Sequence, residues 1–417
     1  MSFFSMVKVE LMAPAGSYES LRAAINSGAD SVYFGAEQLN MRACSANNFN
    51  IDDLKKIIEI CKKNNVKTYL TVNTILYDHD INLMKKICDA AKKFGITAII
   101  ASDVAAMSYA RTIGIEVHLS TQANVSNLET VKFYSQFADV IVLARELTLK
   151  QIKSICEKIK KEKIKGPSGN LVKIEIFAHG ALCVAISGKC YMSLATYNSS
   201  ANRGACLQNC RRSYRVIDEE TGDELVLENK YVMSPKDLCI IGFIDKVIGT
   251  GVSVLKIEGR GRKADYVHTV VKAYREAIDS YYGGTYTKEK IKKWTTELES
   301  VYNRGLWHGG YYLGKKLGEW SGVYGSRASK EKKLIGVVKN YFRKPQVGEF
   351  FLNAGSLEKG DDLMIIGPTT GVVETKALSI FLDEKEVRVA AKGTNATIPV
   401  PSRVRPRDKL YVIKDRI

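Results

Sequence analysis

The 417-residue sequence has no apolar run approaching the ~20 residues that a membrane span requires. Its opening, MSFFSMVKVELMAPAG, lacks a basic start, a long apolar stretch and a small-residue cleavage site, so no secretory signal is expected there. Nine cysteines, an odd number in a long chain, argue against a disulfide scaffold. The expectation is a cytoplasmic protein with reduced thiols. Several catalytic patterns are also missing. No G-x-G-x-x-G follows the first strand-like segment, which weakens a dinucleotide-binding reading. The five histidines form no H-E-x-x-H, the helical zinc-protease pattern. G-x-S-x-G is absent too, and "GPSGN" does not substitute for it.

What is present is globular. Hydrophobic residues make up 45% and charged residues 26%, and the length allows two or three domains. The net charge of +17 points to a polyanion such as RNA or DNA, or to solvated lysine-rich helix faces. The excess is spread along the chain; runs such as "KIKKEKIK" (158–165) read as exposed helix ends.

Eight β-rich segments alternate with amphipathic helical patterns: 9–16, 31–37, 66–74, 96–102, 115–124, 139–146, 172–180 and 252–260. Strands buried on both faces and covered by helices predict an α/β fold, a (β/α)8 TIM-type barrel over 1–283, with a doubly wound open sheet as the alternative. A long cysteine-rich insertion, 180–250, leaves the C-terminal end of strand seven, where barrel enzymes assemble their sites. Residues 284–332 read as a helical and loop connector. From 333 to 417, short alternating segments between Gly, Asp and Pro predict a small all-β barrel domain.

The insertion contains Cys183, Cys190, Cys206, Cys210 and Cys239, spaced C-x6-C-x15-C-x3-C-x28-C. Structural zinc usually shows two tight hooks, and only Cys206 and Cys210 form one. A nucleophilic thiol with His179 as base would leave the other cysteines unexplained. An iron–sulfur cluster needs four thiolates on loops that wrap it, and "HGALC", "SGKC" and "NRGAC" supply glycines just before the cysteines. Inert buried thiols suit Cys61, Cys88 and Cys156, each within an amphipathic helix pattern. Other candidates stand at strand ends. Glu175 and His179, four apart and so on one side of strand seven, are candidate acid/base groups. Glu258, Arg260 and Arg262 close strand eight, where the arginines could grip a dicarboxylate or an RNA phosphate. Asn202 and Arg203, with Arg211 and Arg212, offer similar grips. Asn73, Gln122 and Arg145 occupy the C-terminal ends of strands three, five and six.

"EIFAHGALCVAISGKCYMS" followed by "NRGACLQNCR" resembles the signature of the collagenase-like peptidase family U32. "ELMAPAGSYESLRAAINSGADSVYFGAEQLNMRA", "VHLSTQANVSN", "SPKDLC", "LKIEGRGRKADYV" and "NRGLWHGGY" resemble further family segments. Some members carry a collagenase-type activity. Others are oxygen-independent hydroxylases with a 4Fe-4S cluster, and the layout looks most like the branch that makes 5-hydroxyuridine at the tRNA wobble position, with prephenate as co-substrate. The resemblance implies Cys183, Cys190, Cys206 and Cys239 as cluster ligands, with Cys210 a fifth candidate. It implies tRNA and a small dicarboxylate as partners, allows a paralogous family member as another, and involves no membrane. Missing protease motifs and the basic charge favour the hydroxylase over the peptidase.

Overall fold

The computed structural model describes residues 8–43, 48–222, 224–225, 233–315, 319–323 and 325–416. Eight parallel strands form the barrel: β1 (Glu10–Pro14), β2 (Ser31–Gly35), β3 (Lys67–Val72), β4 (Ala98–Ala101), β5 (Glu116–Leu119), β6 (Val140–Val142), β7 (Lys173–Gly180) and β8 (Val254–Ile257). Each pairs with the next, and β8 pairs with both β7 and β1, so the ring closes. Closure excludes the open doubly wound sheet.

Helices α1 (Tyr18–Asn26), α2 (Asp53–Lys63), α3 (Ile81–Phe94), α4 (Val104–Thr112), α5 (Leu128–Tyr134) and α6 (Leu149–Lys161) follow the first six strands. Side-chain oxygens of Ser17, Asp103, Asn127 and Thr148 accept from backbone N–H groups in the first turns of α1, α4, α5 and α6. These caps satisfy donors that no intrahelical carbonyl can reach. In α3, Met84, Ile87, Cys88 and Ala91 form one buried stripe at helical spacing. Cys61 and Cys156 are buried on the corresponding faces of α2 and α6. Within the insertion lies α7 (Met192–Tyr197); α8 (Ile244–Ile248) precedes β8, α9 (Ala264–Tyr282) follows it, and α10 (Lys288–Ser300) packs on α9.

Side-chain alternation sorts each strand into two sets. Phe34, Leu70, Val117, Leu119, Leu255 and Ile257 join the large core beneath the helices, while Met12, Tyr33, Tyr69, Ala98, Ile100, Val140 and Val254 form a separate cluster inside the ring. Strand β7 outgrows the barrel. Its first part pairs with β6 and β8, and its end pairs antiparallel with a short strand, Asp237–Cys239, which in turn pairs with Leu306–His308. The insertion is thereby anchored at both ends beside β7. Gly180 ends β7 at φ +105°, where an added Cβ would lie 2.5 Å from the Glu258 carbonyl oxygen. Only glycine allows that approach of the β7 and β8 ends.

Residues 330–415 carry an all-β antiparallel region whose main sheet has eight strands around its own apolar core. It docks on the barrel through the strand Gly371–Lys376, which packs on α1 and α9, and through Asn26 Nδ2, which donates to the Thr370 carbonyl at 3.1 Å. No described helix is long and apolar enough to cross a membrane.

Candidate active site

The C-terminal mouth of the barrel opens into a cavity of about 170 Å³, roofed by the insertion. The barrel supplies Tyr33 from β2, Phe177 and Lys256 from β7 and β8, and Asn73, Gln122, Arg145, Glu258 and Arg260 from the segments just past strand ends. Arg42 enters from the loop after β2. Cys183, Cys190, Cys206, Cys210 and Arg211 come from the insertion. Five cationic side chains therefore face one lining carboxylate.

That carboxylate is tightly held. Glu258 Oε1 accepts from Arg42 Nη2 at 2.7 Å, and Oε2 accepts from the Tyr33 hydroxyl at 3.1 Å. Burial would raise the pKa of Glu258, but the Arg42 and Arg145 guanidiniums outweigh it and bring it down to about 2. Arg260 is fully enclosed; burial lowers its pKa to about 10 against the pull of Tyr33 and Glu258. Its Nη1 donates to Thr71 Oγ1 at 2.8 Å. The guanidinium passes over Gly35, where a Cβ would stand 2.4 Å from Nη1, so β2 ends in glycine to let it through. Arg145 stacks 3.8 Å above the Phe177 ring and donates to the Ala181 carbonyl at 2.9 Å. Asn73 Nδ2 donates to Ser120 Oγ at 3.2 Å and Gln122 Oε1 at 3.3 Å, and its Oδ1 accepts from the Met41 N–H at 3.2 Å.

Beneath the cavity the ring interior is charged. Lys256 Nζ lies 2.8 Å from Glu175 Oε1, and the other oxygen of Glu175 is 3.8 Å from His118 Nδ1. His118 Nε2 lies 3.3 Å from Glu116 at the opposite end of the barrel. Burial alone would raise Glu175, but Lys256 and His118 hold it below the usual carboxylate range. For His118, burial is outweighed by Glu116 and Glu175, leaving its pKa raised. Glu175 thus supports Lys256 from below and does not line the cavity.

The thiols divide into two groups. Cys183, Cys190, Cys206 and Cys210 share the cavity wall and are half-buried or exposed. Burial raises the pKa of Cys210, opposed by Arg211, and the three neighbouring thiols push it further up. Cys239, expected with Cys183, Cys190 and Cys206, lies apart from them. It is fully buried, in register with His179, and the Tyr274 hydroxyl lies 3.9 Å from its Sγ. Cys210 lines the cavity and Cys239 does not. Among the described residues no three His, Cys, Asp or Glu side chains already converge as on a single ion. A cubic cluster asks less, because each thiolate has only to reach its own iron at a separate corner. Four soft thiols around one wall, with Gly188 and Gly204 at positive φ in their loops, fit such a group by donor chemistry.

His179 also departs from the expectation that it shares a side with Glu175. The β7–β8 register pairs Phe177 with Lys256 and His179 with Ile257, so Ala178 is an extra, bulged residue. A bulge reverses the alternation beyond it. His179 therefore turns with Ile257 toward α9 and packs 5.6 Å from the Tyr274 ring and 6.1 Å from that of Tyr266. Burial lowers its pKa to about 4. Asn202 and Arg203 likewise stand outside the cavity. Arg203 pairs with Asp80, donates to the Ile75 carbonyl at 2.9 Å and lies over the Tyr77 ring, while the Asn202 carbonyl accepts from the Ile75 N–H at 3.3 Å. Arg212 donates to the exposed Tyr197 hydroxyl at 2.6 Å. Arg262 lines a neighbouring pocket. Sequence reasoning passed over Tyr33, Arg42 and Lys256; for Lys256 the available signal was a lone lysine at an inward position of an apolar strand.

A family model described as Peptidase family U32 matches residues 16–322. A collagenase from Porphyromonas gingivalis is 58% identical over 96% of this chain and 97% of its own length. A tRNA hydroxylation protein from Bacillus subtilis is 33% identical over 87% of this chain and 84% of its own. A 23S rRNA 5-hydroxycytidine synthase from Escherichia coli is 34% identical over 66% of this chain and 40% of its own length. The relatives are named for collagen cleavage and for RNA hydroxylation, and the signature around Cys183 and Cys190 lies inside the matched span. The chain belongs to peptidase family U32.

Proposed function

We propose that this protein is an oxygen-independent RNA hydroxylase that forms 5-hydroxyuridine at the tRNA wobble position. The observation that carries the reading is the cavity itself: four thiols on one wall facing Arg42, Arg145, Arg211, Arg260 and Lys256. Among the described residues no histidine lines it, so the lining offers a peptidase neither a thiol–imidazole pair nor a histidine metal ligand. The relatives named for tRNA hydroxylation and rRNA hydroxycytidine synthesis support the same class.

Cys183, Cys190, Cys206 and Cys210 would hold a 4Fe-4S cluster. When bound, it supplies one-electron chemistry at the barrel mouth. The remaining roles belong to the chain. Arg145, Arg260 and Lys256 bind the carboxylates of a small diacid, prephenate in this reading, by charge-assisted hydrogen bonds. Glu258, held ionised at a pKa of about 2, is a weak base and serves to fix Arg42 and Tyr33. Asn73 and Gln122 present an amide pair at the cavity wall that suits the polar edge of a pyrimidine. The insertion roofs the cavity and contributes Arg211 to its lining. Anaerobically purified protein should be brown with about four irons per chain, and tRNA from cells lacking it should lose 5-hydroxyuridine by nucleoside mass spectrometry. A colourless protein and unchanged tRNA would sink the reading.

A peptidase is the second reading, favoured by the collagenase named at 58% identity. Gelatin cleavage by iron-free protein, abolished by cavity substitutions, would establish it.

A further inference from the structure

Beside the cavity lies a second pocket of about 230 Å³, lined by Arg42, Gln208, Glu258, Arg262, Tyr302 and Arg304 among others. It shares Arg42, Ala181, Gln208 and Glu258 with the cavity, so the two spaces adjoin across the Arg42–Glu258 pair. Two of its three guanidiniums have carboxylate partners: Arg42 with Glu258 at 2.7 Å, and Arg304 with buried Asp237 at 3.3 Å. Arg262 has none among the described residues. Its guanidinium lies 3.6 Å from the Tyr302 ring centroid, and Arg304 approaches the same ring at 5.4 Å. Stacking fixes the guanidinium by its face, which leaves its edge N–H donors free. A held cation with unused in-plane donors is built for an oxyanion.

The strand-end arginines, which the sequence presents as a pair, are therefore divided by the fold. Arg260 is enclosed within the ring and committed to Thr71; Arg262 stands half-buried in the outer pocket, flanked by exposed Gly261 and Lys263. The enclosed position suits a small acid that enters whole. The outer one suits an anionic group on a chain that must run on into solvent.

We propose that the Arg262–Tyr302–Arg304 pocket is a phosphodiester site, which holds the RNA backbone next to the nucleotide whose base enters the cavity. The inference rests on the RNA reading above and gives it a second anchoring point, separate from the small-acid site. A phosphodiester carries one negative charge, matching the one guanidinium that lacks a carboxylate.

The test is binding of a fluorescent RNA hairpin with an unpaired loop, by anisotropy across a potassium chloride series, for the wild-type protein, Arg262→Ala and Arg262→Lys. Far-ultraviolet circular dichroism of each confirms folding. Arg262→Ala should weaken binding roughly tenfold and flatten the slope of log K against log salt by about 0.7, the loss of one single-strand phosphate contact. Arg262→Lys should keep the slope and lose part of the affinity, because it retains charge without the planar fork. Prephenate binding, followed by calorimetry, should be unchanged in both. RNA binding and slope unaffected by Arg262→Ala would overturn this inference alone, as would loss of prephenate binding with RNA binding intact. No RNA binding by the wild-type protein would overturn the RNA reading and this site with it.

Discussion

The two faces of β7 treat the same chemical groups in opposite ways. On the cavity side, Cys183, Cys190, Cys206 and Cys210 stand among guanidiniums and partly meet solvent. On the α9 side, Cys239 and His179 are sealed with Tyr274, and burial dominates. The thiol is pushed up to about 11 and the imidazole down to about 4, so both are held neutral near pH 7. A single bulged residue, Ala178, separates the two environments. A thiol or imidazole does not declare its chemistry by its place in a motif; the neighbouring charges and the face it occupies decide it.

The sharpest way to break this comparison is to exchange the fates of Cys210 and Cys239. Cys210→Ala should abolish stoichiometric iron in anaerobically reconstituted protein. Cys239→Ala should retain iron and cost about 1 kcal/mol or somewhat more of stability through the small cavity left in a packed site. Iron analysis with urea denaturation of each variant decides the matter. Loss of iron in Cys239→Ala with retention in Cys210→Ala would return the ligand set to that implied by the family resemblance.

The ring interior offers the next largest effect. Lys256→Met leaves Glu175 fully buried beside His118 without its cation, which should cost about 3–5 kcal/mol in chemical denaturation. Replacing both, Lys256→Met with Glu175→Leu, should recover much of that loss, because no unpaired charge remains. A double variant as unstable as the single one would show that the pair contributes more than mutual compensation.

These two regions also show what the sequence makes legible. All eight strands and their order follow from alternating apolar segments, because burial on both faces leaves a local, periodic trace. Asn73, Gln122, Arg145, Glu258 and Arg260 follow as well, since barrel geometry carries strand ends to one mouth. Arg42 does not, because its position depends on how the loop after β2 folds back over the ring. Tyr33 and Lys256 look like core residues until closure reveals the cavity above them. The side of β7 that His179 takes is not legible, because one extra residue in the strand has no compositional mark. Cys239 stands 29 residues past Cys210 and joins the ligand set only through the family resemblance; its strand runs antiparallel to β7 and pairs it with His179, beside Tyr274.

The α9 face can be probed by pH. His179 has a folded pKa of about 4 against an ordinary 6.5, so it must stay neutral to remain packed. Its contribution is complete above pH 6.5 and is lost as pH falls toward 4. The shift bounds the effect at about 3 kcal/mol. Unfolding measured between pH 7 and 4 should show His179→Gln losing less stability over that interval than the wild-type protein. Parallel curves would mean that His179 gains protons in the folded state as freely as in the unfolded one.

The smallest effect tests whether the α9 side is held by packing or by hydrogen bonds. The Tyr274 hydroxyl donates to the Ala178 carbonyl at 2.8 Å and accepts from the Ile240 N–H at 3.1 Å, joining the bulge of β7 to the chain just past Cys239. Tyr274→Phe keeps the ring and removes one partner from each backbone group; the Ile240 N–H still donates to the Ala178 carbonyl at 3.2 Å, so the cost is about 1 kcal/mol. Because those bonds fix the bulge, their loss should also loosen the face-switching at Ala178. Amide hydrogen exchange should therefore rise at Ile240 and across Ala178–Gly180, while β1 to β6 stay protected. Iron content should not change, since no cavity thiol touches this hydroxyl. Equal protection in the variant would mean that the bulge is set by packing of His179 and Cys239 together with the direct Ile240–Ala178 bond, and that the two faces of β7 are separated without help from the buried hydroxyl.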